Sequence, residues 1–271
     1  GQVSLSWDAN AETHVAKYVI HASTVKDFTP AREDSVGETT AMSYPVTGLA
    51  NKTEYHFRVA AVNSSGYRGS FSDQLSVTPT YDGPIWWVSA EQQTNSDGSK
   101  ENPFDNITSA LEQINVGDTI YLEPGVHHSP GSHGINADQM YSEFYIYGST
   151  GDPKDVVIDA QDESRHFSLR GNETQELKAG FKNITFYNGY ASEGNGGGGG
   201  GSFIIGRNTR VNFDNCIFYK NETDGSSWGS GGAILLENVE EANFTNCVFR
   251  ENKVEGGERG GAVYAWKDQL N

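Results

Sequence analysis

The feature that most constrains this sequence is a short block that recurs at offsets of 32 and 31 residues. Its three copies lie at residues 181–186, 213–218 and 244–249. A second block, two glycines followed by a small residue and an apolar one, alternates with it at residues 200–203, 231–234 and 260–263. Both blocks are apolar, rich in aromatic or β-branched residues and without a helical period, so each predicts a strand. Strands repeated at a fixed period indicate stacked coils, and this spacing predicts a right-handed parallel β-helix.

Equivalent residues of successive coils would lie above one another, about 4.8 Å apart. The aligned positions are chemically alike: Phe181/Phe213/Phe244, Ile184/Cys216/Cys247, Phe186/Phe218/Phe249 and Ser202/Ala233/Ala262. Such columns would form a dry core. Phe213 and Cys216 can both point inward only if the chain bends between them. The aligned asparagines fit that bend, because asparagine tolerates the left-handed region and its amide can bond along the stack; they are Asn183, Asn215 and Asn246.

Cys216 and Cys247 are the only cysteines, and they occupy equivalent positions of the repeat. Vertical neighbours on in-register parallel strands lie near the lower limit of Cα separation for a disulfide. Ile184 fills the same column one coil earlier. We therefore interpret both cysteines as small hydrophobic core residues rather than as a disulfide, a metal site or a catalytic group.

Length and charge limit the possible classes of protein. At 271 residues the chain is long enough for two domains. Its formal net charge of −17 comes from scattered acidic residues and argues against binding to nucleic acid or to anionic membrane surfaces. No stretch approaches the roughly 18 apolar residues that a membrane span needs.

Residues 1–79 contain several short segments in which apolar and polar residues alternate, which predicts an all-β module. An early strand carries Trp7, and Leu49 precedes a polar turn that leads to Tyr55. These residues make the module resemble a fibronectin type III domain. The resemblance implies that Trp7 is a core residue and that the Tyr55 phenol pins the preceding loop. It also implies a first strand before Gly1, which is missing; we interpret this as truncation, with a strand donated by a neighbouring subunit as the alternative.

Residues 80–84 form a Pro/Gly linker that is too short to swing freely, and residues 85–271 make up the second domain. Its first part predicts an amphipathic helix, because apolar residues recur at helical spacing: Ile107, Ala110, Leu111 and Ile114. Asp105 or Asn106 would cap this helix, and Gly117 would end it. Residues 119–122 are then the predicted first strand of the stack.

This order of segments resembles the N-terminal cap of secreted right-handed β-helix proteins, a group that includes the pectate-lyase-like superfamily and the polymorphic outer-membrane proteins. Gly-Gly-Ala-Ile at residues 231–234 and Phe-x-x-Asn at residues 218–221 and 249–252 resemble the short repeats of the latter. The resemblance implies that the helix covers one end of the core. No such cap follows the last repeat, so we expect the β-helix to be incomplete at its C-terminus.

Two clusters contain residue types that bind metals. Three histidines fall within seven residues: His127, His128 and His133. Five acidic residues crowd a later turn region: Asp152, Asp155, Asp159, Asp162 and Glu163. We interpret the histidines as part of a polar loop. Calcium is an alternative for the acidic cluster, since it takes several oxygen ligands, but turn chemistry explains the same residues and no cofactor is required.

Asp159, Arg165 and His166 are the candidates for acid–base chemistry. A polysaccharide lyase needs a base and a charge-neutralising group, and a glycosidase needs two carboxylates at a fixed separation. Many other Asp–Arg pairs would fit equally well, so the pattern does not specify an enzyme. Four tryptophans are candidates for stacking on sugar rings: Trp86, Trp87, Trp228 and Trp266. Trp228, in a loop, is the best candidate among them, but we favour packing over the coil edge as the interpretation of these side chains.

The sequence thus predicts an all-β protein: a fibronectin type III β-sandwich followed by a right-handed parallel β-helix with a short N-terminal capping helix. The predicted function is that of a secreted or cell-surface bacterial protein, structural or adhesive, that binds a polysaccharide or surface glycan. One alternative is a carbohydrate-active enzyme, either a lyase or a hydrolase. Another is a subunit of an extracellular filament that self-associates through open sheet edges.

Overall fold

The structure is a computed structural model that describes residues 1–10, 14–138, 142–192, 199–224, 231–255 and 260–267. The chain forms two compact units, residues 1–81 and 82–271. The regular structure of the described residues consists of 26 strands and one helix, which makes the fold nearly all-β. That helix is too short to cross a membrane, and the described part of the chain has no other.

The first unit is a sandwich of two antiparallel sheets. In the smaller sheet β1 (Gln2–Ser6) pairs with β4 (Ser43–Thr47). The larger sheet contains β2 (Val15–Ser23), β3 (Ser35–Thr39), β5 (Tyr55–Asn63), β6 (Arg68–Phe71) and β7 (Leu75–Val77). Its order is β3-β2-β5-β6, and β7 also pairs with β5. Alternate residues of the two sheets face each other in a core that includes Val3, Leu5, Ile20, Val46 and Phe57.

The loop before β5 is fixed by its first residue. The Tyr55 hydroxyl accepts a hydrogen bond of 3.1 Å from the backbone N–H of Ala50, and Leu49 is buried in the core beside it. Trp7 packs against the same core and meets Tyr18 edge to face, with 5.3 Å between ring centroids. These contacts join the two sheets toward opposite ends of the sandwich.

The second unit is a parallel β-helix whose strands form four sheets, numbered here in a fixed order. The first sheet contains β8 (Ile85–Val88), β9 (Thr119–Leu122), β12 (Glu143–Gly148), β15 (Leu177–Lys182), β19 (Thr209–Asp214) and β23 (Glu241–Thr245). The second contains β10 (Gly125–His127), β13 (Val156–Asp159), β16 (Thr185–Tyr187), β20 (Ile217–Tyr219) and β24 (Val248–Arg250). The third contains β11 (Ile135–Asn136), β14 (Phe167–Leu169), β18 (Phe203–Ile205), β22 (Ile234–Glu237) and β26 (Val263–Trp266). The fourth contains β17 (Tyr190–Ala191), β21 (Glu222–Thr223) and β25 (Lys253–Val254).

The sequence repeat sets the register between coils. Phe181 pairs with Phe213, which pairs with Phe244, and the rings stack with centroids 5.2 Å apart at both steps. A second column runs through Phe186 and Phe218, whose rings also stack at 5.2 Å. Identical aromatic residues therefore form a continuous core along the helix axis, in which each ring packs against the equivalent ring of the next coil.

The corner between the first and second sheets is made by the aligned asparagines. Asn183, Asn215 and Asn246 have φ values of 56°, 53° and 53°, in the left-handed region. The amide nitrogen of Asn215 donates to the side-chain oxygen of Asn183 at 2.9 Å and to the carbonyl of Gly151 at 3.0 Å. The bend lets Phe213 and the residue after the corner, Cys216, both lie in the core.

Two details of the start of the β-helix differ from the sequence prediction. The first strand of the stack is β8, which pairs in parallel with β9, so residues 119–122 form the second strand. The helix α1 (Ile107–Leu111) ends six residues before Gly117, so Ile114 lies outside it. Its N-cap is Asn106, whose side chain accepts from the backbone N–H of Ser109 at 2.8 Å.

Candidate functional site

Four half-buried aromatic side chains lie together on the outer face of the first sheet, on its three earliest strands. They are Trp87, Tyr121, Tyr145 and Tyr147, and we call them the aromatic patch. The register aligns Trp87 with Tyr121 and Tyr121 with Tyr147, so these three form one column along the helix axis. Tyr145 lies beside the column, two residues earlier on β12.

Strand alternation places these rings on the outside. In β8, Trp86 and Val88 point into the core, so Trp87 points outward. In β12, Phe144 and Ile146 are fully buried, and the tyrosines between and after them take the opposite face. Successive side chains of a strand point to opposite faces of the sheet. The residues that alternate with core residues in β8 and β12 therefore lie on the outer face.

The rings of the patch do not form one continuous stack. Trp87 and Tyr121 are stacked, with centroids 5.2 Å apart and planes 24° apart. Tyr147 meets Tyr121 edge to face at 6.0 Å and 76°, and it meets Tyr145 at 5.9 Å and 48°. None of these contacts of Tyr147 is a parallel stack. The patch therefore presents rings in several orientations rather than a single row of edges.

A glycine gives the patch its shape beside Tyr145. Gly180 pairs with Tyr145 in register on the next strand. A Cβ atom at Gly180 would lie 2.7 Å from Cδ1 of the Tyr145 ring, which is closer than carbon atoms approach. The ring of Tyr145 therefore leans over the position where the next coil has no side chain. Glycine inside a strand often marks such a close approach.

Charged groups surround the patch. The Tyr145 hydroxyl donates a 2.7 Å hydrogen bond to Glu143, and this bond to a carboxylate raises the pKa of Tyr145 to about 12. Lys182 follows Tyr147 in register and pairs with Asp214 at 2.8 Å, a contact that raises the pKa of Lys182. The Lys100 ammonium lies 5.0 Å from the ring centroid of Trp87. Aromatic surface bordered by a carboxylate and ammonium groups suits a ligand with apolar faces and many hydroxyls.

The tryptophans that the sequence suggested as sugar-stacking residues differ in position and exposure. Trp87 belongs to the patch. Trp86 cannot stack on a sugar ring as the sequence suggested, because it is 2% exposed and its indole N–H donates to Asp118 at 2.8 Å. Trp266 ends the third sheet and is 38% exposed, and Trp228 lies outside the described residues. The sequence analysis did not single out the three tyrosines. They alternate with core residues in β9 and β12, so the sequence indicates their outward position once it is known which residues of each strand face the core.

The stacking of β10 on β13 brings the histidine loop and the acidic turn together. Nδ1 of His133 lies 2.8 Å from the Ser164 hydroxyl. Burial lowers the pKa of His133, and the carboxylates of Glu163 and Asp159 oppose this in part. His133 and Ser164 lie beside the turn that follows β13.

The acidic turn gives no support to calcium. Asp152 accepts from the backbone N–H of Lys154 at 3.0 Å, and Asp159 accepts from that of Gln161 at 2.9 Å. These are the bonds expected of turn residues. Within the described ranges, no three His, Cys, Asp or Glu side chains come together in a way that could hold a metal ion. Asp155, Asp162 and Glu163 are exposed.

The three acid–base candidates do not form a common site. His166 is completely buried; its Nε2 donates to the carbonyl of Ile158 at 2.9 Å and its Nδ1 accepts from Ser202 at 3.0 Å. Burial lowers the pKa of His166 to about 3. Arg165 is 7% exposed, and burial together with nearby Arg170 lowers its pKa to about 10. Since a buried imidazole cannot touch a polysaccharide, the packing argues against catalysis by His166.

A pair of carboxylates that the sequence analysis missed lies beside the third sheet. Arg170 bonds Asp138 at 3.2 Å through one nitrogen and Glu237 at 3.1 Å through the other. The hydroxyl of Ser168 also donates to Asp138, at 2.9 Å. A glycosidase places its two carboxylates on either side of a ligand, whereas here the guanidinium occupies the space between them. We interpret this group as an ion-pair network that ties coils together.

Comparison with protein families decides the nature of the first unit. The model of the fibronectin type III domain family matches residues 1–78. Residues 1–78 form a fibronectin type III domain. The two-sheet sandwich and the Tyr55 hydrogen bond to Ala50 belong to this domain, as the sequence resemblance implied. The β-helix follows it in the chain.

Solved structures similar to the chain are parallel β-helices. A family 28 exopolygalacturonase from Yersinia enterocolitica has 10% identity and a TM-score of 0.27 over 88% of this chain and 60% of its own. A pectate lyase from Pectobacterium carotovorum has 11% identity and a TM-score of 0.24, over 97% and 80%. A pectate lyase from Erwinia chrysanthemi has 10% identity and a TM-score of 0.24, over 93% and 96%. The chain spans 60% of the length of the exopolygalacturonase. No curated protein sequence matches it.

The fibronectin type III domain has a groove of its own. The groove has a volume of about 800 Å³ and runs beside β5 and β6, between His14, Asn63 and Tyr67. Strand β6 begins there with Arg68-Gly69-Ser70 and so lacks the Arg-Gly-Asp sequence of integrin-binding modules. Among the residues that the structure describes, the lining of the groove includes no carboxylate and one large aromatic ring, that of Tyr67. We therefore place the candidate site on the β-helix and not on this domain.

Proposed function

We propose that this protein is an extracellular or cell-surface glycan-binding protein, and that the aromatic patch is its binding site. The observation that carries the proposal is the grouping of Trp87, Tyr121, Tyr145 and Tyr147 on one outer sheet face, with Glu143 and Lys182 beside them. The fibronectin type III domain would act as a spacer. Its family membership and the acidic surface support an extracellular setting.

The chemistry of the patch fits a sugar chain. The apolar C–H faces of pyranose rings can lie on aromatic rings, which offer large contact area at a small cost in side-chain entropy. The carboxylate of Glu143 would accept hydrogen bonds from sugar hydroxyls, and the ammonium of Lys182 would donate them. The long axis of the column, set by the coil spacing, would orient an extended chain along the β-helix.

We expect alanine at Trp87 or at Tyr147 to weaken glycan binding by roughly 10- to 100-fold. Each ring would bury apolar surface against the sugar, and full burial of a large apolar side chain contributes about 1.5–3 kcal/mol. A glycan array would identify the ligand, and titration calorimetry would then compare the variants. Circular dichroism would establish that both variants keep the fold.

A matched control lies on the second sheet. Tyr187 and Tyr219 also form a stacked, half-buried pair on an outer face, with centroids 5.3 Å apart. Alanine at both of these positions removes as many rings as alanine at both Trp87 and Tyr147, and it should leave binding unchanged. Equal losses in both variants, or none in either, would refute the assignment of the site.

A milder variant tests the shape of the patch without removing a ring. Gly180→Ala places a methyl group against the ring of Tyr145, so that ring must turn. We expect binding to weaken several-fold while stability changes little, because the ring is at the surface and can move. Binding equal to that of the wild type would show that Tyr145 does not contact the ligand.

The two alternatives lead to different measurements. A carbohydrate-active enzyme would release unsaturated or reducing sugars from a polysaccharide that the protein binds, and wild-type protein at high concentration would reveal this. A filament subunit would grow in size with concentration by light scattering. Neither alternative has an observation of comparable weight, and both remain predictions.

A further inference from the structure

The aromatic patch continues along the first sheet into a narrow strip of uncharged residues. Tyr145 pairs in register with Gly180, Gly180 with Asn212, and Asn212 with Asn243. We call Gly180, Asn212 and Asn243 the amide strip. Asn212 is exposed, and its strand, β19, has a neighbouring strand on each side. The strip therefore presents an amide to solvent two coil spacings from Tyr145, which is about 10 Å.

The surface between the patch and Asn212 has no protruding side chain in this column. Gly180 offers only backbone, and the ring of Tyr145 leans over it. The Tyr147 hydroxyl is also near, 3.8 Å from the point where a Cβ atom of Gly180 would lie. The two rings thus extend the aromatic surface toward the next coil, and a ligand that lies on the patch can continue over Gly180.

The amide of Asn212 is oriented by its neighbour on the next coil. The side-chain nitrogen of Asn243 donates to the side-chain oxygen of Asn212 at 2.9 Å and to the carboxylate of Glu241 at 2.8 Å. The oxygen of the Asn212 amide therefore points toward Asn243. The rest of its hydrogen-bonding capacity faces solvent, and an amide can both donate to and accept from a hydroxyl group.

The charged columns on either side of the strip consist of ion pairs. On one side, Lys182 bonds Asp214 at 2.8 Å. On the other side, Arg210 bonds Glu176 at 2.6 Å and Glu241 at 2.7 Å. An anionic sugar could bond either cation only by replacing one carboxylate with another, and the displaced carboxylate would repel it. The amide strip is therefore bordered by charges that are already neutralised.

The wider charge balance also disfavours an anionic ligand. The third cation beside the strip, Lys178, lies 3.8 Å from the carboxylate of Glu176. These three cations thus face three carboxylates, while the protein as a whole carries a net charge of −17. Exposed ion pairs are individually weak, so the exclusion comes from the absence of net positive charge and not from the strength of any one pair. A polymer with a negative charge on each sugar would be repelled by this surface.

We propose that the glycan is an extended, uncharged chain that lies along the first sheet, with the aromatic patch at one end and the Asn212 amide at the other. The inference rests on the proposed function, because the patch holds one end of the chain. The C–H faces of the sugars pack on the rings, and sugar hydroxyls bond the amide. Trp87 and Asn212 lie four coil spacings apart, about 19 Å along the helix axis. Only an oligosaccharide of several sugars reaches both.

The first test compares four hexasaccharides by titration calorimetry: those of β-1,4-linked glucose, xylose and mannose, and that of α-1,4-linked galacturonate. We expect at least one uncharged hexamer to bind more tightly than the galacturonate. It should bind about tenfold more tightly than its own disaccharide, because only the hexamer gains the bonds to the amide. Its affinity should change less than about twofold between low and high salt.

Three results of this test would overturn the proposal. One is tightest binding of the galacturonate with an affinity that falls steeply as salt is added. Another is equal affinity for the hexamer and its disaccharide. The third is failure of all three uncharged hexamers to bind.

Asn212→Ala tests the far end of the site. We expect the hexamer to bind about three- to tenfold more weakly, because its hydrogen bonds to the amide are lost, and the disaccharide to bind as before. Arg210→Gln is the matched control on the same strand, since it removes a bordering charge but keeps the amide. It should change the affinity for the hexamer less than about twofold. No loss with Asn212→Ala, or an equal loss with Arg210→Gln, would overturn the proposal.

Trp87→Ala separates this inference from the proposed function. It should weaken binding of the hexamer and of the disaccharide alike, since both use the patch. A loss with Trp87→Ala but none with Asn212→Ala would keep the glycan-binding function and overturn the extended path of the ligand. No loss with Trp87→Ala would refute the proposed function itself. Circular dichroism would establish that each variant keeps the fold.

Discussion

Replacing Phe213 with alanine is expected to lower the free energy of unfolding of the β-helix by about 3–5 kcal/mol, the usual cost of removing a large aromatic side chain from a core. The ring is 1% exposed. It lies between the rings of Phe181 and Phe244, 5.2 Å from each, and meets Phe203 edge to face at 5.0 Å. Backbone hydrogen bonds along the stack keep the coils from closing into the cavity. We therefore expect little of the lost free energy of unfolding to be recovered by relaxation.

The same column supplies a matched control. Phe244 stacks on Phe213 but is only half-buried, so alanine there leaves a gap that water can fill and should cost less than half as much. Equilibrium unfolding in urea, followed by circular dichroism, would measure both variants against the wild type. Equal losses at the two positions would contradict the view that burial increases from the last coil inward.

Acid is expected to destabilise the β-helix through His166. The folded pKa is about 3, and the unfolded value is about 6.5. Above pH 6.5 the imidazole is neutral in both states and contributes no pH dependence. Between pH 6.5 and 3 the imidazole is protonated in the unfolded chain but neutral in the folded one. The free energy of unfolding therefore falls by about 1.4 kcal/mol per pH unit. The total loss approaches 5 kcal/mol at about pH 3.

The variant His166→Gln removes the titration but keeps one donor and one acceptor for Ile158 and Ser202. We expect it to be less stable than the wild type at pH 7, because it fills the site poorly, yet to lose less stability on acidification. Urea midpoints at several values between pH 7 and 4 would give both slopes. His128→Gln is the control, since that side chain stays in water. Parallel slopes for His166→Gln and wild type would show that another group causes the acid sensitivity.

Much of the fold could be predicted from the sequence because the β-helix repeats its chemistry. Phe181, Phe213 and Phe244 recur at the coil length, and like residues that stack make a core whatever the loops between them do. The asparagines mark the corner because few other residues tolerate the left-handed backbone there. The fibronectin type III domain could also be predicted from the sequence, from Trp7 and from the turn between Leu49 and Tyr55.

The site could not be predicted in the same way, because it depends on which outward-facing residues become neighbours. Alternation shows that Trp87, Tyr121 and Tyr147 point outward, but they are far apart in the chain and follow no repeat. Only the pairing of β8 with β9 and of β9 with β12 makes them one patch. The early coils differ in length, so their register cannot be counted from the sequence.

The sequence by itself determined the secondary structure, the inward columns and the domain family, since these follow from local pattern and from repetition. The tertiary structure decided the aromatic patch and the pairing of Arg170 with Glu237. The physical reason is that an inward side chain is selected by the need to exclude water, which leaves a pattern in the chain. An outward side chain acquires its neighbours from coil length and register, which the chain encodes only through the whole fold.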